Sequence, residues 1–277
     1  MKRLLMIGHG DVSHRVAALL PAGVEVRTVS RSLGIDLDRP ATLESLGGWA
    51  DTVLHCAPPP PLGDTDTRTT NLLATIEAAG ILPSRLVYIS TSGVYGDCGG
   101  ALVDELRPVN PRTERAVRRV DAERQLIAWG ELHECAVVIL RAPGIYAADR
   151  LPVERLMQGK PVLIDEEDVY TNHIHADDLA GIALAALEPL APAGVYNASD
   201  DTHLKMGQWF DLVADRLGLP KPPRVARNDA AGLIPASLLS FMSESRRLSN
   251  RKMKTLLGVR LAFPTVFDGV PVARRAP

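Results

Sequence analysis

The sequence predicts an α/β protein, a doubly wound parallel sheet with a smaller C-terminal lobe, and three observations predict it. Short apolar runs alternate with stretches of helical periodicity as far as Ala198. A glycine turn, GHGDVS at Gly8 to Ser13, joins the first apolar run to the first helical stretch. Beyond Ala198 the alternation stops, and a proline-rich link follows at Pro220 to Pro223.

Taken in order, Leu4 to Ile7 reads as a first strand, and Asp11 to Leu20 as a helix carrying Val12, Val16, Leu19 and Leu20 at helical spacing. Val24 to Val29 and Thr52 to Cys56 read as strands, Thr70 to Ala79 as a helix, and Arg85 to Ser90 as a further strand. Asp121 to Trp129 is expected to be helical and Ala136 to Arg141 a strand. Asp177 to Leu187 follows as an alanine-rich helix and Val195 to Ala198 as a short strand. Lys205 to Leu217 starts the different pattern of the tail. The expected division places 1–150 and 174–200 in a dinucleotide-binding core, and 151–173 and 201–277 in a smaller substrate-binding lobe. Pro58 to Pro61 reads as a rigid loop.

A chain of 277 residues can bury a substantial core. Its 31 basic and 33 acidic side chains leave a formal charge of −2, so no global field favours nucleic acid or an anionic membrane surface. With four Phe and five Tyr there is no basic stripe with interleaved aromatics either. The expected partner is a small molecule. Cys56, Cys98 and Cys135 are odd in number and lack CxxC spacing, which argues against a disulfide framework or a structural zinc and suits a reducing cytosol. Glycine interrupts the opening MKRLLMIGHG too early for a signal peptide or a membrane span. A cytoplasmic protein is expected.

Gly8, Gly10 and Ser13 form a GxGxxG variant in a strand-turn-helix setting, with Asp11 and Val12 opening the helix. Glycine at the first two positions permits a tight turn and close approach of backbone to a pyrophosphate, whose charge the helix N-terminus favours. Ser13 is small enough for helix to pack on strand. The end of the second strand discriminates cofactors: an acidic residue would bond the ribose 2′-hydroxyl, whereas basic groups accommodate a 2′-phosphate. VRTVSRS offers Ser30 and Arg31 there, with Arg27 or Arg15 as helpers, and no carboxylate. NADP(H) is therefore the expected cofactor and NAD the alternative, with Asp36 and Leu37 in a segment that could lie against the adenine.

Several blocks, in order, resemble the extended and atypical short-chain dehydrogenase/reductase superfamily, in particular its NAD-dependent epimerase/dehydratase-like members. They are the Rossmann-type glycine turn, LHCAPPP at Leu54 to Pro60, TNLLATIEAA at Thr70 to Ala79, YISTSGVYG at Tyr88 to Gly96, LRAPGIY at Leu140 to Tyr146, HIHADDLA at His173 to Ala180, and RRLSNRKMKTLLGV at Arg246 to Val259. The resemblance implies that Cys56, Ala57 and Pro58 border the cofactor, that Thr91 helps polarise a substrate carbonyl, and that Pro143 and Gly144 lie near the nicotinamide. It also implies a homodimer through paired helices. The family's Tyr-x-x-x-Lys pair is missing: PRTERAVRRVDAE puts Arg115 at the tyrosine position, Arg119 at the lysine position and Glu123 a turn further on.

A guanidinium stays protonated near neutral pH and is a poor general acid or base. Arg119 can still hold a ribose or phosphate, and Arg115 can clamp an anionic substrate. Tyr95 is the nearest remaining proton-donor candidate. His173 and His175, alternating on a strand, share one face and could reach the substrate cleft, but helix capping by Asp177 and packing by the histidines outweigh a metal site, since a third ligand is lacking. The resulting expectation is an NADP(H)-dependent oxidoreductase or epimerase/dehydratase-like enzyme acting on a small polar substrate, a sugar nucleotide or an anionic carbonyl compound. The alternative is a non-catalytic NAD(P)-binding redox sensor or interaction protein.

Overall fold

The computed structural model describes residues 1–46, 48–80 and 82–273. In β1 (Arg3–Ile7) the side chains alternate between two cores, Leu4 and Met6 entering one and Leu5 and Ile7 the other. A strand covered on both faces needs an unbroken apolar run, and that is the signal the sequence carries. The turn at Gly8 leads into α1 (Asp11–Leu19), and β2 (Glu25–Val29) returns parallel to β1. β3 (Thr52–His55) pairs with the other edge of β1, Leu5 lying opposite Val53. The chain thus winds away from β1 first in one direction and then in the other. Such a reversal opens a crevice at the carboxyl ends of the two inner strands.

The sheet then grows through α2 (Thr67–Ala78), β4 (Arg85–Thr91), a short β5 (Leu102–Val103), α3 (Glu114–Leu132) and β6 (Ala136–Ala142). β7 (Gly144–Tyr146), α4 (Val153–Met157), β8 (Val162–Leu163), β9 (Tyr170–Thr171) and β10 (His173–His175) leave it, and α5 (Ala176–Leu187) and β11 (Gly194–Asn197) return. The six strands run β11-β6-β4-β3-β1-β2, every pairing parallel. Val16 of α1 packs with Leu179 and Ile182 of α5 over one face; Leu72 and Ile76 of α2 pack with Leu126 of α3 over the other. The doubly wound parallel sheet expected from the sequence is the fold.

The remaining elements are β12 (Leu204–Lys205), α6 (Met206–Leu217), β13 (Arg224–Val225), α7 (Ala236–Phe241), β14 (Arg247–Leu248), α8 (Arg251–Leu256) and α9 (Val266–Gly269). Leu156 of α4 and Leu163 of β8 form a third core with Trp209, Phe210 and Val213 of α6 and Val266 of α9. β12 pairs with β9 and β13 with β8, which stitches the stretch after β7 to the C-terminal part. β14 pairs with β5, tying that part back to the sheet domain. No helix among the described residues is long and apolar enough to cross a membrane.

Some boundaries differ from expectation. α3 begins at Glu114 rather than Asp121, because the turns before Asp121 bury Arg118 beside only Ala116 and Val120, a weak apolar signal. Arg118, 5% exposed, donates to the Gly63 carbonyl at 2.6 Å, and buried Glu123 accepts from Ser90 and Arg141. Periodicity of apolar residues cannot register such burial. α5 is capped by His175, whose Nδ1 accepts the Asp177 N–H at 3.2 Å, so the cap expected of Asp177 is made by the histidine.

Candidate active site

At the crevice, Gly8 has φ +105°, and a Cβ there would stand 3.0 Å from the Ala57 nitrogen and 3.3 Å from the Cys56 carbonyl carbon. Only glycine allows the turn to press against the end of β3. Ser13, 2% exposed, locks it by donating to the Gly8 carbonyl at 2.8 Å. Gly10 is the N-cap of α1 and offers no side-chain cap, whereas α2, α3 and α5 are capped by Asp66, Thr113 and His175. A Cβ at Gly10 would meet nothing within 4 Å. The first N–H groups of α1 are thus left for a ligand, and an uncapped helix N-terminus behind open space suits an anion. Cys56 lies beside this turn with its thiol pushed up to about 11 by burial, a neutral packing group.

At the end of β2, Ser30 and Ser32 share a hydrogen bond at 2.8 Å, and Arg31 is exposed at the start of a tight turn. The expected helpers are drawn elsewhere. Arg15 bonds Asp11 at 2.9 Å and Asp177 at 2.5 Å, and Arg27 stacks 4.4 Å over Trp49. Asp36 donates its N–H to Thr42; Leu37 is buried in the core beneath α2 and presents its carbonyl to Asn71 at 2.8 Å. Arg68, which the sequence did not single out, organises this rim. It grips Asp38 through two bonds, 2.9 and 2.7 Å, and donates to the Pro58 carbonyl at 3.1 Å.

A cleft of about 1170 Å³ runs from this turn to the C-terminal elements. Gly10, Asp11, Val12, Ser13 and Cys56 line the end at the α1 turn, and Thr91, Arg115, Arg119 and Pro143 also line the cleft. Gly8 supports the turn from behind, and Ser30, Arg31, Asp36, Leu37, Ala57 and Pro58 lie outside the cleft lining. Thr91 ends β4 and accepts the Gly93 N–H at 3.3 Å, which leaves its own proton to donate into the cleft. Arg119 donates from Nη1 to the Tyr88 hydroxyl at 2.8 Å and to the Ile89 carbonyl at 2.7 Å; its Nε and Nη2 have no protein partner among the described residues. Arg115 has its guanidinium 4.4 Å over the Phe241 ring and no acceptor among the described residues. Partial desolvation and the Arg119 charge lower its pKa from the usual guanidinium value.

Tyr95 is not brought to the cleft. It is 1% exposed, donates to Asn197 Oδ1 at 2.8 Å, and carries the Arg141 guanidinium 4.7 Å over its ring. Burial raises its pKa. Arg141 in turn bonds Glu123 at 2.7 Å, and Glu123 accepts from Ser90 at 2.5 Å, so a satisfied buried network backs the strand that carries Thr91. His173 does line the cleft, stacked 4.4 Å from Trp209 and driven down to about 3 by burial, hence neutral. Among the described residues no group of three or more His, Cys, Asp or Glu could hold a metal ion.

The C-terminal wall contains two residues that the sequence did not single out as site residues. Glu244 and Arg246 both line the cleft, 9% and 8% exposed, and pair at 2.9 Å.

Fold and site together define a dinucleotide-binding oxidoreductase or epimerase of Rossmann type. The chain belongs to the NAD-dependent epimerase/dehydratase family, whose profile matches residues 10–199, and it is an NAD(P)-dependent enzyme. It is similar to a 3-diazoavenalumate denitrifying reductase of a Streptomyces species, at 29% identity with 96% of each chain covered. A solved structure of a functionally unknown conserved protein from Silicibacter pomeroyi superposes with a TM-score of 0.81 at 28% identity, covering 98% of this chain and 97% of that one. RMD from Pseudomonas aeruginosa, solved with NADPH, shares the fold at a TM-score of 0.74 and 20% identity, covering 98% of this chain and 97% of that one.

Proposed function

We propose that the protein is an NADPH-dependent reductase that directs hydride to a small anionic electrophile requiring no proton donor in the same step. The observation that carries this reading lies on α3. Arg115 and Arg119 occupy the tyrosine and lysine positions, and of the two phenols in YISTSGVYG, Tyr95 is sealed behind the strand and Tyr88 is buried with its hydroxyl accepting from Arg119. Thr91 can orient a reacting group by hydrogen bonding, and the two phenols that line the cleft are engaged elsewhere, Tyr146 donating to the Thr265 carbonyl and Tyr170 carrying the Arg247 guanidinium over its ring.

The residues fit the cofactor: the uncapped α1 N-terminus suits a pyrophosphate, and Ser30 and Arg31, with no carboxylate at the end of β2, suit a 2′-phosphate. NADPH, when bound, supplies the hydride. Arg119 would hold a ribose hydroxyl through its free Nε and Nη2, and Arg115 the substrate's anionic group. Acceptors differ in what they demand. A carbonyl needs a proton on oxygen, whereas a diazonium carbon takes hydride and releases dinitrogen with no proton transferred. The Streptomyces relative, named for denitrifying a diazo compound, supports that class.

The test follows NADPH absorbance with benzenediazonium carboxylates and with matched ketones, each against an enzyme-free control. Oxidation faster with the diazonium compounds, a primary isotope effect from deuterated NADPH and a solvent isotope effect near unity are expected. Ketone reduction with a large solvent isotope effect would reveal an acid and overturn the reading. NADPH binding with no turnover on any acceptor would instead favour a cofactor-binding sensor, the alternative that the two arginines also suit.

A further inference from the structure

The geometry points to Glu244, Arg246 and Arg115 as a substrate-recognition set that takes a flat aromatic carboxylate bearing a hydrogen-bond donor. This rests on the reductase reading above for the identity of the cleft, and it concerns the end of the cleft away from the α1 turn.

Glu244 and Arg246 are held firmly. Ser245 between them donates its N–H to Asp97 at 2.7 Å and accepts from Cys98 N–H at 3.0 Å, and the β14–β5 pairing follows at once. Arg246 Nη1 donates both to Glu244 Oε2 at 2.9 Å and to the Gly96 carbonyl at 2.7 Å. Yet Glu244 Oε1 and Arg246 Nε, both buried, have no partner among the described residues. Buried polar atoms of this kind are ordinarily satisfied. Here one is an acceptor and its neighbour a donor, and both residues line the cleft.

Arg115 lines the same cleft, close enough to feel the Glu244 charge, and has no counter-ion of its own among the described residues. Arg115, Arg119 and Arg246 against Glu244 leave the wall with a positive excess, which calls for an anion. The free Nε of Arg246 and the fork of Arg115 can bind a carboxylate, while Glu244 Oε1 accepts from a hydroxyl or N–H elsewhere on the ligand. Phe241, Tyr170 and Trp209 line this end of the cleft, a setting for a planar ring. A nucleoside diphosphate sugar would bring two phosphates to a wall where Arg115 is the one guanidinium with all its donors free among the described residues.

The decisive experiment is calorimetric titration with 4-hydroxybenzoate, benzoate, 4-hydroxybenzamide and UDP-glucose, with and without saturating NADP⁺. 4-Hydroxybenzoate is expected to bind most tightly. The amide and the Arg115→Ala variant should each weaken binding by about tenfold, with little further loss when the two are combined, because both delete one contact. Glu244→Gln, an isosteric change, should abolish the advantage of 4-hydroxybenzoate over benzoate without weakening benzoate, since it removes a negative charge from the wall that holds the carboxylate. Equal affinity for the amide, an unaltered hydroxyl preference in Glu244→Gln, or tighter binding of UDP-glucose would overturn the assignment. Failure of NADP⁺ to bind would count against the cofactor reading alone, since the ring ligands are also titrated without it.

Discussion

Asp200, just after β11, shows how a single burial event sets a pH dependence. It is 2% exposed; one carboxylate oxygen accepts the Thr202 N–H at 2.9 Å and the other has no partner among the described residues. Burial raises its pKa from 3.8 to about 7. Between those values the folded protein holds a proton that the unfolded chain has released, so stability falls as pH rises through this window, by on the order of a few kcal/mol. Asp200→Asn keeps the acceptor for Thr202 and removes the ionisation. It should raise the melting temperature near pH 8 and leave it almost unchanged near pH 4; equal shifts at both would show that Asp200 does not titrate there. Residues of this kind are hard to read in a sequence. Arg115 and Arg119 were legible because the family resemblance marks the Tyr-x-x-x-Lys positions they occupy, whereas Glu244 and Arg246 look like ordinary solvated charges until the β14–β5 pairing draws them inward.

Strand-turn-helix units were legible where apolar periodicity and glycine agree, as at β1, Gly8 and α1. The start of α3 was not, since Arg118 is buried by a polar contact that carries no periodic signal. The two glycines of the first turn separate a structural from a binding requirement. At Gly8 an alanine would combine φ +105° with a 3.0 Å contact to the Ala57 nitrogen, costing about 1–3 kcal/mol and displacing the turn. At Gly10 the φ of −105° suits any residue and the Cβ would meet only open space in the cleft. Gly8→Ala should therefore lower both the melting temperature and the NADPH affinity, while Gly10→Ala should keep the melting temperature and lose affinity alone, by about tenfold or more. Thermal melts paired with NADPH fluorescence titrations decide it. An unchanged affinity in Gly10→Ala would mean that the α1 N-terminus is not where the pyrophosphate rests.

Across the whole molecule, the cleft is assembled from stretches distant in sequence, the α1 turn, the end of β4, the first turns of α3 and the segment after α7, and a ligand touching several of them couples their stability. A ligand that binds only the folded state at about a hundred times its dissociation constant adds ~2.7 kcal/mol, which for a chain of this size is a rise of roughly 5 °C in melting temperature. The unaltered protein should show that rise with NADPH and a smaller one with NADH if Ser30 and Arg31 receive the 2′-phosphate as proposed, no acidic group ending β2. Arg31 is exposed, so Arg31→Ala should leave the unliganded melting temperature within about 1 °C, since substitutions at such surface positions usually change stability little. It should reduce the NADPH shift to the NADH level and leave the NADH shift as it was. A variant whose NADPH shift is undiminished would remove Arg31 from the site, and an unaltered protein stabilised more by NADH would reverse the cofactor preference altogether.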